Sequence, residues 1–256
     1  MGFASRSYAP PSLPSVGQGV KWLLISNVAL FVLGYFLIRV DAYQILMPFG
    51  LVPRSVLQSF ALWQPFTYLF LHDPTGFGHI LVNMLVLYMF GSTLESVWGT
   101  QRFLKFYFIC GVGAGLCVVF ANLLFGTLDT RTIGASGAIY GLILAFGVLF
   151  PEATILFMFI FPMKAKYFVM IIGAITFMSS MSGSTGGVSH VAHLGGMVVG
   201  WFYLRSSLMQ RSAGRIGFSV VEGLRQRHKD WKLQRAKKKF QVYLKKQDSG
   251  SDRWTN

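Results

Sequence analysis

A serine flanked by glycines opens an apolar stretch in "GASGAIYG", residues 134–141, so Ser136 stands where a helix should begin. Two further apolar stretches open on polar side chains. "GHILVNM" puts His79 and Asn83 four residues apart, on one face of a helix, and "SHVAHLGGMVVG" puts His190 and His193 in a first helical turn. These residue types suit attack of a hydroxyl on a carbonyl. A serine attacks only if a base takes its proton and donors receive the oxyanion that develops. His193 can be that base, and His79, Asn83 and the Ser136 N–H can be the donors. A helix N-terminus behind Ser136 adds about half a positive charge, which favours the oxyanion. Singly, each sign is weak. A Gly-x-Ser-Gly in an apolar helix ordinarily serves close packing, and an Asn can simply bond a neighbouring helix. Packing alone does not ask for a nucleophile, a base and amide donors together.

The elements that carry these residues read as membrane-spanning. Of 256 residues, 53% are hydrophobic, 16% aromatic and only 12% charged, with a mean hydropathy of +0.52. A soluble domain carries about 25% charged residues. A spanning helix needs about 20 mainly apolar residues, and six stretches qualify or nearly so: Lys21 to Val40, His79 to Val97, Arg102 to Phe125, Ser136 to Phe150, Ala165 to Ser182 and His190 to Leu204. The expected fold is an all-α polytopic six-helix bundle with short helices four and six. Helices of about 22 Å cannot cross a hydrocarbon core of about 30 Å. They must start below the membrane surface, beside a water-filled hollow or inside protein.

Charge sets the orientation. With a cytoplasmic N-terminus, 20 Lys and Arg fall inside, and only Arg39, Arg54 and Arg131 fall outside. Both termini are then cytoplasmic, and helices two, four and six bring Asn83, Ser136 and His193 to one depth near the outer face. The first outer connection, Asp41 to Gly78, holds Phe60, Trp63, Phe66, Tyr68 and Phe70, and is expected as a partly submerged interfacial loop. "PEATILFMFIFPMKAKY" is expected as a re-entrant inner loop or as extensions of its neighbouring helices, with Pro162 excluding one continuous helix.

No acid is placed to complete a triad. Asp41, Asp73 and Asp129 belong to outer loops, Glu152 follows the fourth helix, and Glu95 lies about 18 Å of helix beyond Asn83. A Ser–His dyad is therefore expected. Cys110 and Cys117, seven residues apart in one apolar helix, are too far apart for a disulfide and read as small core residues. No metal-ligand spacing and no cofactor motif is present.

Four ordered motifs make the chain resemble the rhomboid intramembrane serine proteases of the six-helix bacterial type, from about Trp63 to Tyr203. They are HxxxN at His79 and Asn83, GxxxExxxG at Gly91, Glu95 and Gly99, GASGxxY from Gly134 to Tyr140, and AHxxGxxxG from Ala192 to Gly200. The resemblance implies Ser136 as nucleophile, His193 as general base and acid, and an oxyanion hole lined by His79 and Asn83. Tyr140 would pack beside His193 and border the substrate, and Glu95 would be a structural hydrogen-bonding residue. Gly196 and Gly200 would let the sixth helix approach the fourth. One departure is Trp63-Gln64 where the family often has Trp-Arg, which puts the polar contacts of the first loop in doubt. His190 is expected to cap a loop or form a hydrogen bond.

The function expected is endopeptidase cleavage of transmembrane segments of other membrane proteins, entering sideways from lipid. The alternative is a catalytically inactive rhomboid-like protein that binds clients; such relatives typically lack the serine or the histidine, and both are present here. A transporter would call for an inverted repeat, and none is visible. Three regions are expected: a flexible cytoplasmic arm over 1–20, a six-helix protease domain over 21–204, and a basic cytoplasmic tail over 205–256. That tail holds 14 Lys and Arg against four acids, a charge suited to anionic lipid headgroups rather than nucleic acid. The start lacks the features of a signal peptide. The expected setting is a bacterial inner (cytoplasmic) membrane.

Overall fold

The computed structural model describes residues 16–126, 128–157, 160–181 and 190–206. Most of the expected N-terminal arm, and the basic tail beyond residue 206 with its lipid contacts, lie outside them. The chain divides into two units, Met1–Leu204 and Arg205–Asn256, and the candidate site belongs to the first.

Six helices carry the unit: α1 Gln18–Arg39, α2 Phe77–Trp98, α3 Thr100–Phe125, α4 Ser136–Leu149, α5 Ala165–Met181 and α6 over residues 190–206. The first three are long and apolar enough to cross a membrane. This is a helical membrane bundle. Its outward surfaces are apolar, with Phe36, Leu81, Phe120 and Met178 exposed, as lipid contact requires.

α3 is the central post. Its Phe103, Phe106, Tyr107, Cys110, Ala114 and Val118 are buried at steps of three and four residues, which puts them on one face. α4 is the innermost element, with Gly137, Ala138, Ile139, Gly141, Leu142, Ile143, Ala145 and Gly147 buried among its 14 residues. Fourteen residues rise about 21 Å, so α4 begins or ends well inside a bilayer. Both cysteines are free.

Small residues set how close these helices come. A Cβ built on Gly196 would collide with the carbonyl oxygen of Gly137, and one on Gly200 would lie 3.5 Å from the Gly141 Cα. At Gly196, α6 and α4 therefore touch backbone to backbone, which only glycine permits, and at Gly200 they remain close. At the other end of the bundle, the Glu95 carboxylate accepts hydrogen bonds from Gly19 N (2.8 Å), Val20 N (2.8 Å) and Thr100 Oγ1 (2.6 Å). It caps the first turn of α1 from the end of α2 and holds the start of α3, satisfying donors that a helix N-terminus leaves open. Gly99, at φ +77°, makes the sharp turn between α2 and α3. Within α2, Leu87–Gly91 form a π-helical turn.

One expectation is corrected. The stretch after α4 does not lengthen its neighbouring helices; it forms an antiparallel hairpin, β1 Thr154–Phe157 and β2 Phe161–Lys164, with Leu156 opposite Pro162. Pro162 has no N–H to give a helix, and the β-branched and aromatic residues around it favour strands. Glu152 ties the base of the hairpin, bonding Lys164 and Lys166 at 2.6 Å each; the two lysines hold its carboxyl down at about 2.

In the first loop, Gln64 stands where the family often has Arg and makes polar contacts of its own. Gln64 is buried; its Oε1 accepts from Val52 N (2.9 Å) and its Nε2 donates to Pro48 O (3.1 Å). Beside Val52, Leu51 pairs with Thr132 through N–H···O bonds of 3.0 and 2.8 Å. The loop is thus sewn to the segment that leads into Ser136.

Candidate active site

Ser136 is the first residue of α4, and the backbone before it is set by Gly134 at φ +119°, a conformation side-chain-bearing residues rarely adopt. The Gly134 N–H donates to Tyr68 O at 2.9 Å, and the Tyr68 hydroxyl donates to Gly111 O on α3 at 2.7 Å. The turn that presents Ser136 is therefore anchored to both the first loop and the central helix. The first N–H groups of α4 have no partner inside their own helix, so they are available beside the hydroxyl.

His193 on α6 meets that hydroxyl: its Nε2 lies 2.7 Å from Ser136 Oγ. Its other nitrogen, Nδ1, is buried and has no hydrogen-bond partner among the described residues. The ring is instead held by stacking. Tyr140, four residues after Ser136 on α4, lies 4.1 Å away between centroids and 4° from parallel. The Gly196–Gly137 contact three residues beyond His193 fixes the separation of the two helices. His190 stands 6.0 Å from His193, edge to face.

His79 on α2 faces the same space. A Cβ on Gly134 would sit 3.0 Å from His79 Cε1, 3.4 Å from its Nε2 and 3.9 Å from Ser136 Oγ. A side chain at Gly134 would crowd the His79 ring, so glycine there lets His79 lie close to the turn that carries Ser136. Asn83, one turn further along α2, is buried, and its Nδ2 lies 3.0 Å from His72 Nε2.

Of the residues singled out from sequence, Ser136, His193 and Tyr140 make direct contact, and His79 borders them. Asn83 is reached through His72, which sequence reasoning missed. Glu95 stands apart, occupied with α1 and α3. Asp129 is taken by Arg54, at 2.7 and 3.0 Å on an exposed surface, and the guanidinium holds that carboxyl below its usual range. Among the described residues no group of three or more His, Cys, Asp and Glu is placed to hold a metal ion.

A hydroxyl hydrogen-bonded to an imidazole at the start of a helix, where backbone N–H groups lack intrahelical partners, is an arrangement suited to acyl transfer.

Comparisons with known proteins identify the family. A family model described as the Rhomboid domain matches residues 59–209. The chain is similar to "Rhomboid protein 1, mitochondrial" of Saccharomyces cerevisiae, 30% identical over 129 residues, covering 50% of this chain and 37% of that protein. It is 27% identical over 201 residues to "Rhomboid protease GluP" of Bacillus subtilis, covering 77% of this chain and 37% of that protein. "Putative rhomboid protease YdcA" of Bacillus subtilis is 33% identical over 156 residues, 60% of this chain and 70% of that protein. The chain thus spans 37% of the length of the first two relatives. The domain match covers more than half of the chain and includes Ser136, His193, His79 and Asn83: the chain belongs to the rhomboid family.

Proposed function

We propose that this protein is an intramembrane serine endopeptidase that cleaves transmembrane segments of other membrane proteins with a Ser136–His193 dyad. The observation that carries the reading is the 2.7 Å contact between Ser136 Oγ and His193 Nε2, with Nδ1 unpaired among the described residues. The substrate enters from lipid and unwinds locally, because a helix hides its carbonyls in its own hydrogen bonds. Ser136 Oγ attacks the carbonyl carbon as His193 Nε2 takes the hydroxyl proton. His79, Asn83 and the Ser136 N–H receive the oxyanion. His193 returns the proton to the leaving amine as the C–N bond breaks, leaving an acyl ester on Ser136. Water then attacks the ester, with His193 again the base, and releases the new carboxylate.

Positive-inside charge supports a topology with both termini cytoplasmic and the site toward the opposite face of a bacterial inner membrane. The test is purified chain in liposomes with a model transmembrane substrate, together with labelling by a serine-directed fluorophosphonate. Cleavage and labelling by wild type, both lost in Ser136→Ala and His193→Ala, are expected, with turnover falling at least about 10⁴-fold. A wild type that binds the substrate but neither cleaves nor labels would establish the inactive, client-binding alternative instead.

A further inference from the structure

His72 lies in the first loop, takes no part in the reaction above, and is 3% exposed. Burying an ionisable ring in a membrane bundle is costly, and such residues tend to serve the site they border. Its Nε2 is 3.0 Å from Asn83 Nδ2, and its ring centre is 5.3 Å from that of His79, tilted by 58°. Its Nδ1 is buried and makes no well-aligned hydrogen bond among the described residues, although the Phe70 backbone favours a proton on the ring. His72 thus touches both of the side chains assigned to the oxyanion.

The chemistry of the contact fixes where the hydrogens are. An Asn amide nitrogen only donates, so Nε2 accepts and the neutral ring carries its proton on Nδ1. Burial, with His79 close by, pushes His72 down to about 4, which keeps the Nε2 lone pair available near neutral pH. The Asn83 carboxamide has two N–H bonds. With one spent on His72, the other is held in a single direction.

Without that anchor the amide can turn and present its carbonyl oxygen instead, which would repel an oxyanion. The choice of face is therefore worth more than the hydrogen bond itself. Resting on the dyad reading above, we propose that His72 is a positioning residue: by accepting one Asn83 hydrogen it aims the other into the oxyanion hole.

The experiment is a double-mutant cycle on the full chain in liposomes, with kcat and KM measured on a model transmembrane substrate and folding followed by thermal denaturation. His72→Leu keeps bulk and loses the acceptor; His72→Gln keeps an acceptor. His72→Leu is expected to lower kcat about tenfold, within the loss of about 10²–10³ for a whole oxyanion donor, with KM little changed. His72→Gln should recover most of that loss. In an Asn83→Ala background His72→Leu should cost nothing further. Wild-type kcat in His72→Leu, or the same loss with and without Asn83, would overturn the proposal. If His72→Leu does not fold, ¹⁵N NMR of the wild-type imidazole decides: a proton on Nδ1 with a bare Nε2 supports it, and a protonated Nε2 overturns it. A wild type that neither cleaves nor labels at Ser136 would overturn the dyad reading, and this one with it; an active wild type with an indifferent His72 would overturn this one alone.

Discussion

The Tyr140 ring and the His193 imidazole lie 4° from parallel at 4.1 Å, and that contact orients an imidazole whose Nδ1 has no hydrogen-bonding partner among the described residues. A ring held by a flat neighbour keeps its plane but loses the electrostatic support a carboxylate would supply. Tyr140→Phe keeps the plane and should leave kcat within about threefold of wild type. Tyr140→Ala removes it, and a misplaced reacting group can cost about 10²-fold. Steady-state turnover of a model transmembrane substrate separates the two; equal loss in both variants would assign the role to the hydroxyl.

If no acid completes the dyad, the loop carboxylates are dispensable to the chemical step. Asp41→Asn, Asp73→Asn and Asp129→Asn should each turn over substrate near the wild-type rate, whereas a triad carboxylate is worth about 10⁴ in rate. Asp129→Asn also releases Arg54, an exposed pair of little consequence for folding. A thousandfold loss in any well-folded variant would reveal a third catalytic group.

Backbone contact between α4 and α6 predicts an asymmetry between two glycines. Gly196→Ala drives a methyl into the Gly137 carbonyl, which neither helix can yield without separating Ser136 from His193. Gly200→Ala meets Cys110 Sγ and Phe106 Cζ at 3.3 Å, side-chain ends that can give way. Overpacking costs about 1–3 kcal/mol. Gly196→Ala should lie at the upper end and lose most fluorophosphonate labelling, while Gly200→Ala should melt near wild type and keep labelling.

Glu95 predicts the reverse separation of stability from chemistry. Glu95→Gln loses one of the acceptors shared by Gly19, Val20 and Thr100 and should destabilise by about 1–3 kcal/mol. Ser136 in the folded fraction should still react with fluorophosphonate. Thermal melting followed by labelling below the transition checks both halves.

What the sequence made legible has a physical pattern. The helices were readable because lipid demands long apolar runs, and Ser136, His79, Asn83 and His193 stood out because polar groups at helix starts are rare there. The hairpin was not readable, since "ILFMFIF" is apolar at every position and periodicity cannot distinguish strand from helix in such a run. Gln64 in place of the family's frequent Arg put the polar contacts of the first loop in doubt; its hydrogen bonds to Val52 and Pro48 need only an amide. His72 had a usable signal, a lone histidine inside "TYLFLHD", but no spacing connects it to Asn83. The partners of Glu95 on α1 are backbone N–H groups, which no side-chain pattern can reveal.

Those partners lie 76 and 75 residues earlier in the chain than Glu95 itself. During synthesis α1 must therefore wait, its first N–H groups uncapped, until the far end of α2 has been made and brought back beside it. The carboxylate, for its part, has no settled place until α1 is there to receive it. Thr100 joins them as α3 begins. One carboxylate thus serves three helices, and its full set of hydrogen bonds exists only when the start of α1, the end of α2 and the start of α3 lie together.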